Sequence, residues 1–311
     1  MLSAVAIYIA QSMSIKHGAI LTTYKELVLV TSFWATKRVS VSNSTKVGIH
    51  PHRREVENAL VLNLASGIFD ELRIILDSYH AMYNCTTQKE MLSERLLQLH
   101  SNSRTRVVCV EHAGLQPSYF EMFNYTADAT LIGSVIILAN ADMVFDDSAI
   151  MLKRLHKKTV NTIATRGIGT NNLPPELLRH RLEQLGMHTS DMNVKNRCYA
   201  EKRRTSWDAY AFHFGTLNFD ETGFRDDKTG KKFTMNTIGA ENSALYYLKR
   251  VSPGISFKQI CDHVHMWHLH QSPKMHSSKR QVSAPRSIAD KCCDIMDCLG
   301  QRLVAKNVSN C

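Results

Sequence analysis

No apolar run in this 311-residue chain approaches the roughly 20 residues that would cross a bilayer as a helix. Nothing repeats at the periods of about 20–50 residues that mark solenoids and propellers, and no block is of low complexity. A glycine-rich phosphate loop, a G-x-S-x-G elbow and a C-x-x-C pair are all missing. With 44% hydrophobic and 21% charged residues, the composition excludes a disordered chain, a collagen-like repeat and a coiled coil. Eight cysteines are too few to build a chain of this length around disulfides. Cys292, Cys293 and Cys298 cluster ahead of the terminal Cys311, while Cys85, Cys109, Cys198 and Cys261 are dispersed. An even count permits disulfides without fixing the compartment.

What is present in excess is positive charge, +10 from 38 Lys and Arg against 28 Asp and Glu. Such a surface attracts phosphates, sugar nucleotides, nucleic acid or acidic membranes, or is simply a solvated face. The excess is spread over 153–158, 195–204 and 274–286, with no run dense enough for a nucleic-acid arm. N-x-S/T acceptors at Asn43, Asn84, Asn124 and Asn307 would make a glycoprotein in a secretory lumen. The apolar start, 1–10, lacks a basic leader and a small-residue cleavage pattern. The sequons thus lean toward a secretory or Golgi lumen, with the cytoplasm as the alternative.

Short apolar runs at 26–33, 72–76, 106–110 and 134–139 read as buried strands, with helices at 54–66, 88–100 and 119–126 between them. Gly67 suits a helix C-terminus. That alternation is the βαβ signature of a parallel sheet covered on both faces, where ligands bind at the carboxyl ends of the strands. Further on, the pattern predicts a helix capped by Asp147 or Ser148 with Ile150, Met151 and Leu155 apolar. A strand at 159–165, a helix from Pro175 to Gly186, a strand at 210–214, a helix at 241–249 and strand at 257–270 follow. The stretches 42–52, 187–204 and 218–232 read as loops. The organisation is an N-terminal extension, 1–25, a main domain, 26–275, and a C-terminal appendage, 276–311.

Four constellations carry chemistry. Asn140-Ala141-Asp142 follows an apolar strand, and Asp142 is an oxygen ligand for a hard divalent cation or a structural turn residue; Asp146 caps or braces the same loop. Cys261 with His263, His265, His268 and His270 places five metal-binding residue types within ten positions. Glu241 begins a helix, as a general base or a plain capping carboxylate. Asp208 lies among Trp207, Tyr210 and Phe212, to hold an acceptor hydroxyl or to border a core.

In order, several segments resemble the glycosyltransferase-like proteins of the nucleotide-diphospho-sugar transferase (GT-A) fold. They are Arg54-Glu55 through Leu60 and Asn63, Gln116-Pro117-Ser118-Tyr119 with Phe123 and Tyr125, VIILANADMVFD at 135–146 and Thr165-Arg166. SWDAYAF at 206–212, GAEN at 239–242 and HLHQS at 268–272 complete the set. The resemblance covers about 26–275. It implies an α/β, Rossmann-like, mostly parallel sheet with helices on both faces. It puts Asn140-Ala141-Asp142 at the DxD-type motif for metal and sugar nucleotide, with Asn140 departing from the first Asp. It puts Thr31, Ser32 and Arg166 near the nucleotide, and Asp142, His268 and His270 at a Mn²⁺ or Mg²⁺ ion. Glu241 falls at the catalytic base of inverting members, and Asp208 contacts donor sugar or acceptor. A basic residue that usually follows HxHxS is only approximated by Pro273-Lys274.

The expectation is a metal-dependent glycosyltransferase moving sugar from a UDP- or GDP-sugar to a hydroxyl of a glycan, protein or small molecule, with no nucleic-acid partner and no membrane span. Two alternatives compete with it: a non-catalytic nucleotide- or nucleic-acid-binding protein using the basic surface, and an interaction protein stabilised by zinc on Cys261 and the histidines.

Overall fold

The computed structural model describes residues 25–33, 36–41, 44–49, 53–77, 84–112, 117–164, 174–187, 208–225, 232, 234 and 240–269. Almost all of the proposed N-terminal extension, the whole appendage, Arg166, Trp207 and His270 lie outside them. The strands are β1 (Leu27–Phe33), β2 (Thr36–Val41), β3 (Ser44–Ile49), β4 (Glu71–Asp77), β5 (Arg106–His112), β6 (Val135–Ala139), β7 (Met143–Phe145), β8 (Thr159–Ile163), β9 (Ala209–His213), β10 (Ser256–Gln259) and β11 (Met266–His268). The α-helices are α1 (Arg53–Ser66), α2 (Cys85–Gln98), α3 (Tyr119–Tyr125), α4 (Glu176–Gln184) and α5 (Ala240–Val251). No helix of the described residues is long and apolar enough to cross a membrane.

β1 and β6 are buried at every position, which is why their sequences are almost uninterrupted Leu, Ile and Val rather than alternating. Seven strands form one sheet in the order β5-β4-β1-β6-β9-β8-β10. β9 runs antiparallel to both its neighbours, and every other pairing in the sheet is parallel. Alternation along β1 divides the core. Leu27, Leu29 and Phe33 pack with α1, α2 and α4, whereas Val28 and Val30 pack with α3 and α5. The molecule is therefore α/β, with a mostly parallel, Rossmann-like sheet flanked by helices on both faces.

At the amino end of β4 an ion cluster satisfies charges that burial would otherwise leave costly. Arg73 reaches Glu71 and, at 2.7 Å, Asp128, while Arg106 Nε donates to Glu71 at 2.6 Å. Because β1, β4 and β6 are parallel, this cluster and the carboxyl-end residues lie at opposite ends of the sheet.

Three local expectations change. The presumed loop at 42–52 contains β3, which pairs with β2 as an antiparallel hairpin; short, largely polar strands carry no core-facing apolar run to reveal them. The helix after β7 is a 3₁₀ helix, Asp147–Arg154, capped by Asp146 rather than by Asp147 or Ser148. It buries Ala149 and Leu152 and leaves Ile150 and Met151 exposed. The single strand expected at 257–270 is two, β10 and β11, separated by a turn that contains His263.

Candidate active site

The chain builds β1, β4 and β5 outward in one direction and then returns to place β6 on the other side of β1. The crevice beyond the carboxyl ends of β1 and β6 is thus the switch point where open α/β sheets take their ligands. β1 and β6 pair from Leu27↔Val135 to Val30↔Leu138. Thr31 and Ser32 are the next two residues of β1, one register step after another. Both are buried, and neither hydroxyl has a hydrogen-bond partner among the described residues. Each such orphan costs about 1–3 kcal/mol, a cost that a polar ligand at this strand end would remove.

Just beyond β6, Asn140, Ala141 and Asp142 turn the chain into β7. The antiparallel β7–β11 ribbon pairs Met143 with His268, and Leu269 N–H donates to the Asp142 carbonyl at 2.9 Å. This register sets His268 Nε2 2.6 Å from Asp142 Oδ2. Their side chains are 17% and 20% exposed for Asp142 and His268, so the pair is open to solvent. Asn63 of α1 holds the other edge of the ribbon. Its Nδ2 donates to the Met143 carbonyl at 2.8 Å, and its Oδ1 accepts from Phe145 N–H at 3.0 Å. In a strand the carbonyl of residue i and the N–H of i+2 share one edge, so a single carboxamide serves both. Asp146 clamps the far end of the ribbon: it accepts from Trp267 Nε1 at 3.3 Å, lies 3.1 Å from His265 Nδ1 and caps Ser148 N–H at 3.0 Å.

β9 brings the next carboxylate. Asn140 N–H donates to the Asp208 carbonyl at 2.9 Å, and Asn140 Nδ2 donates to Asp208 Oδ1 at 3.3 Å. Asp208 is only 4% exposed. Glu241, in the first turn of α5, is joined to the same strand through its backbone: the Tyr210 hydroxyl donates to its carbonyl at 2.9 Å. Tyr119 and Tyr210 hold their phenolic protons far above the ordinary range. Burial is the largest cause for both, followed by the negative charges of Glu241 and Asp208, with Tyr210 also acting on Tyr119. The two carboxylates therefore act on one pair of phenols. The Tyr119 hydroxyl is buried with no hydrogen-bond partner among the described residues.

The structure thus pairs Asn140 with Asp208 and Asp142 with His268 by direct contacts, the two pairs meeting in the chain at 140–142, with Thr31 and Ser32 on the neighbouring strand end and Glu241 tied in through Tyr210. Arg166 and His270 lie outside the described residues. The zinc arrangement finds no support here: Cys261 is disulfide-bonded, His265 is taken by Asp146 and His263 is exposed. Among the described residues no group of three or more His, Cys, Asp or Glu is placed to hold a metal ion. Asp142 with His268 offers one carboxylate oxygen donor set and one imidazole. The carboxylate is the donor a hard divalent cation takes when substrate phosphates and water supply its remaining positions, while the imidazole is a donor more typical of transition metals.

Sequence reasoning overlooked Asp77, wholly buried at the carboxyl end of β4. The signal is the one used for Asp142, a carboxylate closing an apolar strand. It also overlooked the positioning work of Asn63, for which a helical asparagine carries no local cue.

No protein-family model matches the chain, and no curated protein matches it in sequence. Solved structures that are similar include a 4-diphosphocytidyl-2C-methyl-D-erythritol synthase from Anaerococcus prevotii (13% identity, 61% of this chain and 71% of that one, TM-score 0.30). Another is an inositol-1-phosphate CTP transferase from T. maritima (12% identity, 61% and 71%, TM-score 0.29). A third, from Bacillus anthracis, is described as a glucose-1-phosphate thymidylyltransferase and is bound to sucrose (10% identity, 76% and 86%, TM-score 0.34).

Proposed function

We propose that the protein is a metal-dependent glycosyltransferase that moves a sugar from a nucleotide-sugar donor to a hydroxyl acceptor. The observation that carries the reading is the 2.6 Å contact between Asp142 and His268 beside the β1–β6 switch point. Asp142 and His268 would hold Mn²⁺ or Mg²⁺, which when bound supplies positive charge to the departing diphosphate. Thr31 and Ser32 offer unpaired hydroxyls to the nucleotide end of the donor. Asp208, fixed by Asn140, accepts a hydrogen bond from a sugar or acceptor hydroxyl. Glu241 takes the acceptor's proton as the acceptor oxygen bonds to the sugar's anomeric carbon and the bond to the diphosphate oxygen breaks. The net positive charge of the chain favours an anionic donor.

Thermal unfolding of the purified chain with UDP-, GDP- and CMP-sugars, with and without Mn²⁺, tests this. One donor should raise Tm only when Mn²⁺ is present; a hundredfold excess over Kd adds about 2.7 kcal/mol of stability. Asp142→Ala should abolish that shift while keeping the apo Tm. The reading fails if no sugar nucleotide raises Tm under either condition. Steep salt-dependent binding of RNA or DNA would point instead to the nucleic-acid alternative.

A further inference from the structure

Cys85, in the first turn of α2, is bonded to Cys109 of the edge strand β5, across 24 residues of sequence. Cys261 is disulfide-bonded as well. Stable disulfides persist in oxidising compartments and are rare in the cytosol. Those same compartments house the transfer of glycans to N-x-S/T asparagines. The bonds point to such a compartment, in which the sequons become physical candidates.

Two of the four acceptors fall on described residues. Asn84 is half-buried and occupied: its Oδ1 accepts from Thr87 N–H at 2.9 Å in the capping box of α2, and the next residue is the bonded Cys85. Asn124 is different. α3 turns Tyr119, Met122 and Phe123 into the core and leaves Asn124 exposed in its last turn. A branched, polar substituent there meets solvent rather than packed side chains. The helix starts at the candidate site with Tyr119 and closes at Tyr125, one residue after Asn124, so the substituent would project from the end remote from the site.

We infer that Asn124 is an N-glycosylation site, modified before α3 folds. The order follows from Thr126, the hydroxyl residue of the acceptor triplet. In the fold it is buried, and its Oγ1 donates to the Phe123 carbonyl at 2.6 Å, so a transferase cannot read it there. The co-reactant is a lipid-diphosphate-linked oligosaccharide. The Asn124 Nδ2–C1 bond forms, the bond from C1 to the diphosphate oxygen breaks, the lipid diphosphate leaves with the electron pair, and the amide proton passes to a base or water. This inference is independent of the proposed transferase activity of the chain.

The test is peptide mapping of the protein purified from its native source, with and without peptide N-glycosidase in heavy-oxygen water. The peptide carrying Asn124 should be recovered in quantity only after the enzyme, with Asn124 converted to labelled aspartate. Asn124→Gln should remove one glycan step on a denaturing gel while the Cys85–Cys109 bond still forms. Recovery of the untreated peptide with intact Asn124 as its main form overturns the inference, and so does a glycan confined to Asn84.

Discussion

Asn140 and Asp208 are bonded to each other twice, through the backbone at 2.9 Å and through the side chains at 3.3 Å. This double link gives position 140 a structural reason to be asparagine rather than aspartate. The carboxamide donates to a buried carboxylate; an aspartate in its place would face that carboxylate with like charge.

Asn140→Asp is accordingly expected to destabilise the fold by about 1–3 kcal/mol at neutral pH. Mutual repulsion raises the pKa of the carboxyl pair above its unfolded value. The deficit is therefore present when both groups are ionised and disappears as pH falls far enough to protonate one of them. Denaturant melts of both proteins at pH 7 and pH 4 check this, and a gap that is equal at the two pH values refutes it.

His268 meets Asp142 across 126 residues of sequence because β11 pairs with β7. If the pair holds a cation against a diphosphate, His268→Ala and Asp142→Asn should each lower turnover by on the order of 10²-fold or more. Each should also abolish the Mn²⁺-dependent part of nucleotide binding, measured by calorimetry. Both side chains are partly open to solvent, so apo stability should change by less than about 1 kcal/mol.

Much of this frame can be read from the chain alone. β1, β4 and β6 are buried on both faces, so burial writes itself as largely apolar runs, broken in β4 by Arg73, and Asp142 stands out as the carboxylate that follows one of them. The positive φ at Gly67 and Gly186 also follows from local chemistry, whereas the first turn of α2, from Cys85 with Asn84 as its cap, precedes the helix expected from 88. What sequence cannot supply is pairing at a distance. Nothing near His268 says that it faces Asp142 while His265, three residues earlier, is taken by Asp146. Nor does an apolar count separate the exposed Ile150 and Met151 from the buried Leu152, since the 3₁₀ geometry after Asp146 rotates the inward face.

Asp128 supplies a pH dependence remote from the site. The Thr130 N–H, the Arg73 guanidinium and the Thr130 hydroxyl lower its carboxyl from the ordinary 3.8 to about 2. A depressed acid adds stability that is full above about pH 4 and lost as pH falls through about 2. The side chain is 46% exposed, so solvent screening keeps the contribution below about 1 kcal/mol. Asp128→Asn should therefore lower Tm slightly at pH 7 and progressively less as the pH is taken down to 2. A difference in Tm that does not shrink would mean the substitution acts through packing instead.

Asn63 offers the sharpest separation of architecture from chemistry. Its carboxamide is the whole outer edge of β7, one donor and one acceptor for two backbone groups. Asn63→Asp keeps the shape and the acceptor but removes the donor, leaving the Met143 carbonyl without this partner and placing a charge in the core. Asn63→Leu removes both functions and leaves two backbone groups unpaired. Each lost buried bond costs about 1–3 kcal/mol, so both variants should be clearly less stable in denaturant melts, with Asn63→Asp recovering as pH falls and its carboxyl is protonated into a donor. Because Met143 is the residue after Asp142, loosening β7 should also move Asp142 away from His268. Metal-dependent nucleotide affinity should then fall in Asn63→Leu even at temperatures where that variant remains folded. Unchanged affinity in the folded variant would mean that Asn63 supports only the core and that the Asp142–His268 pair is positioned by β11 alone.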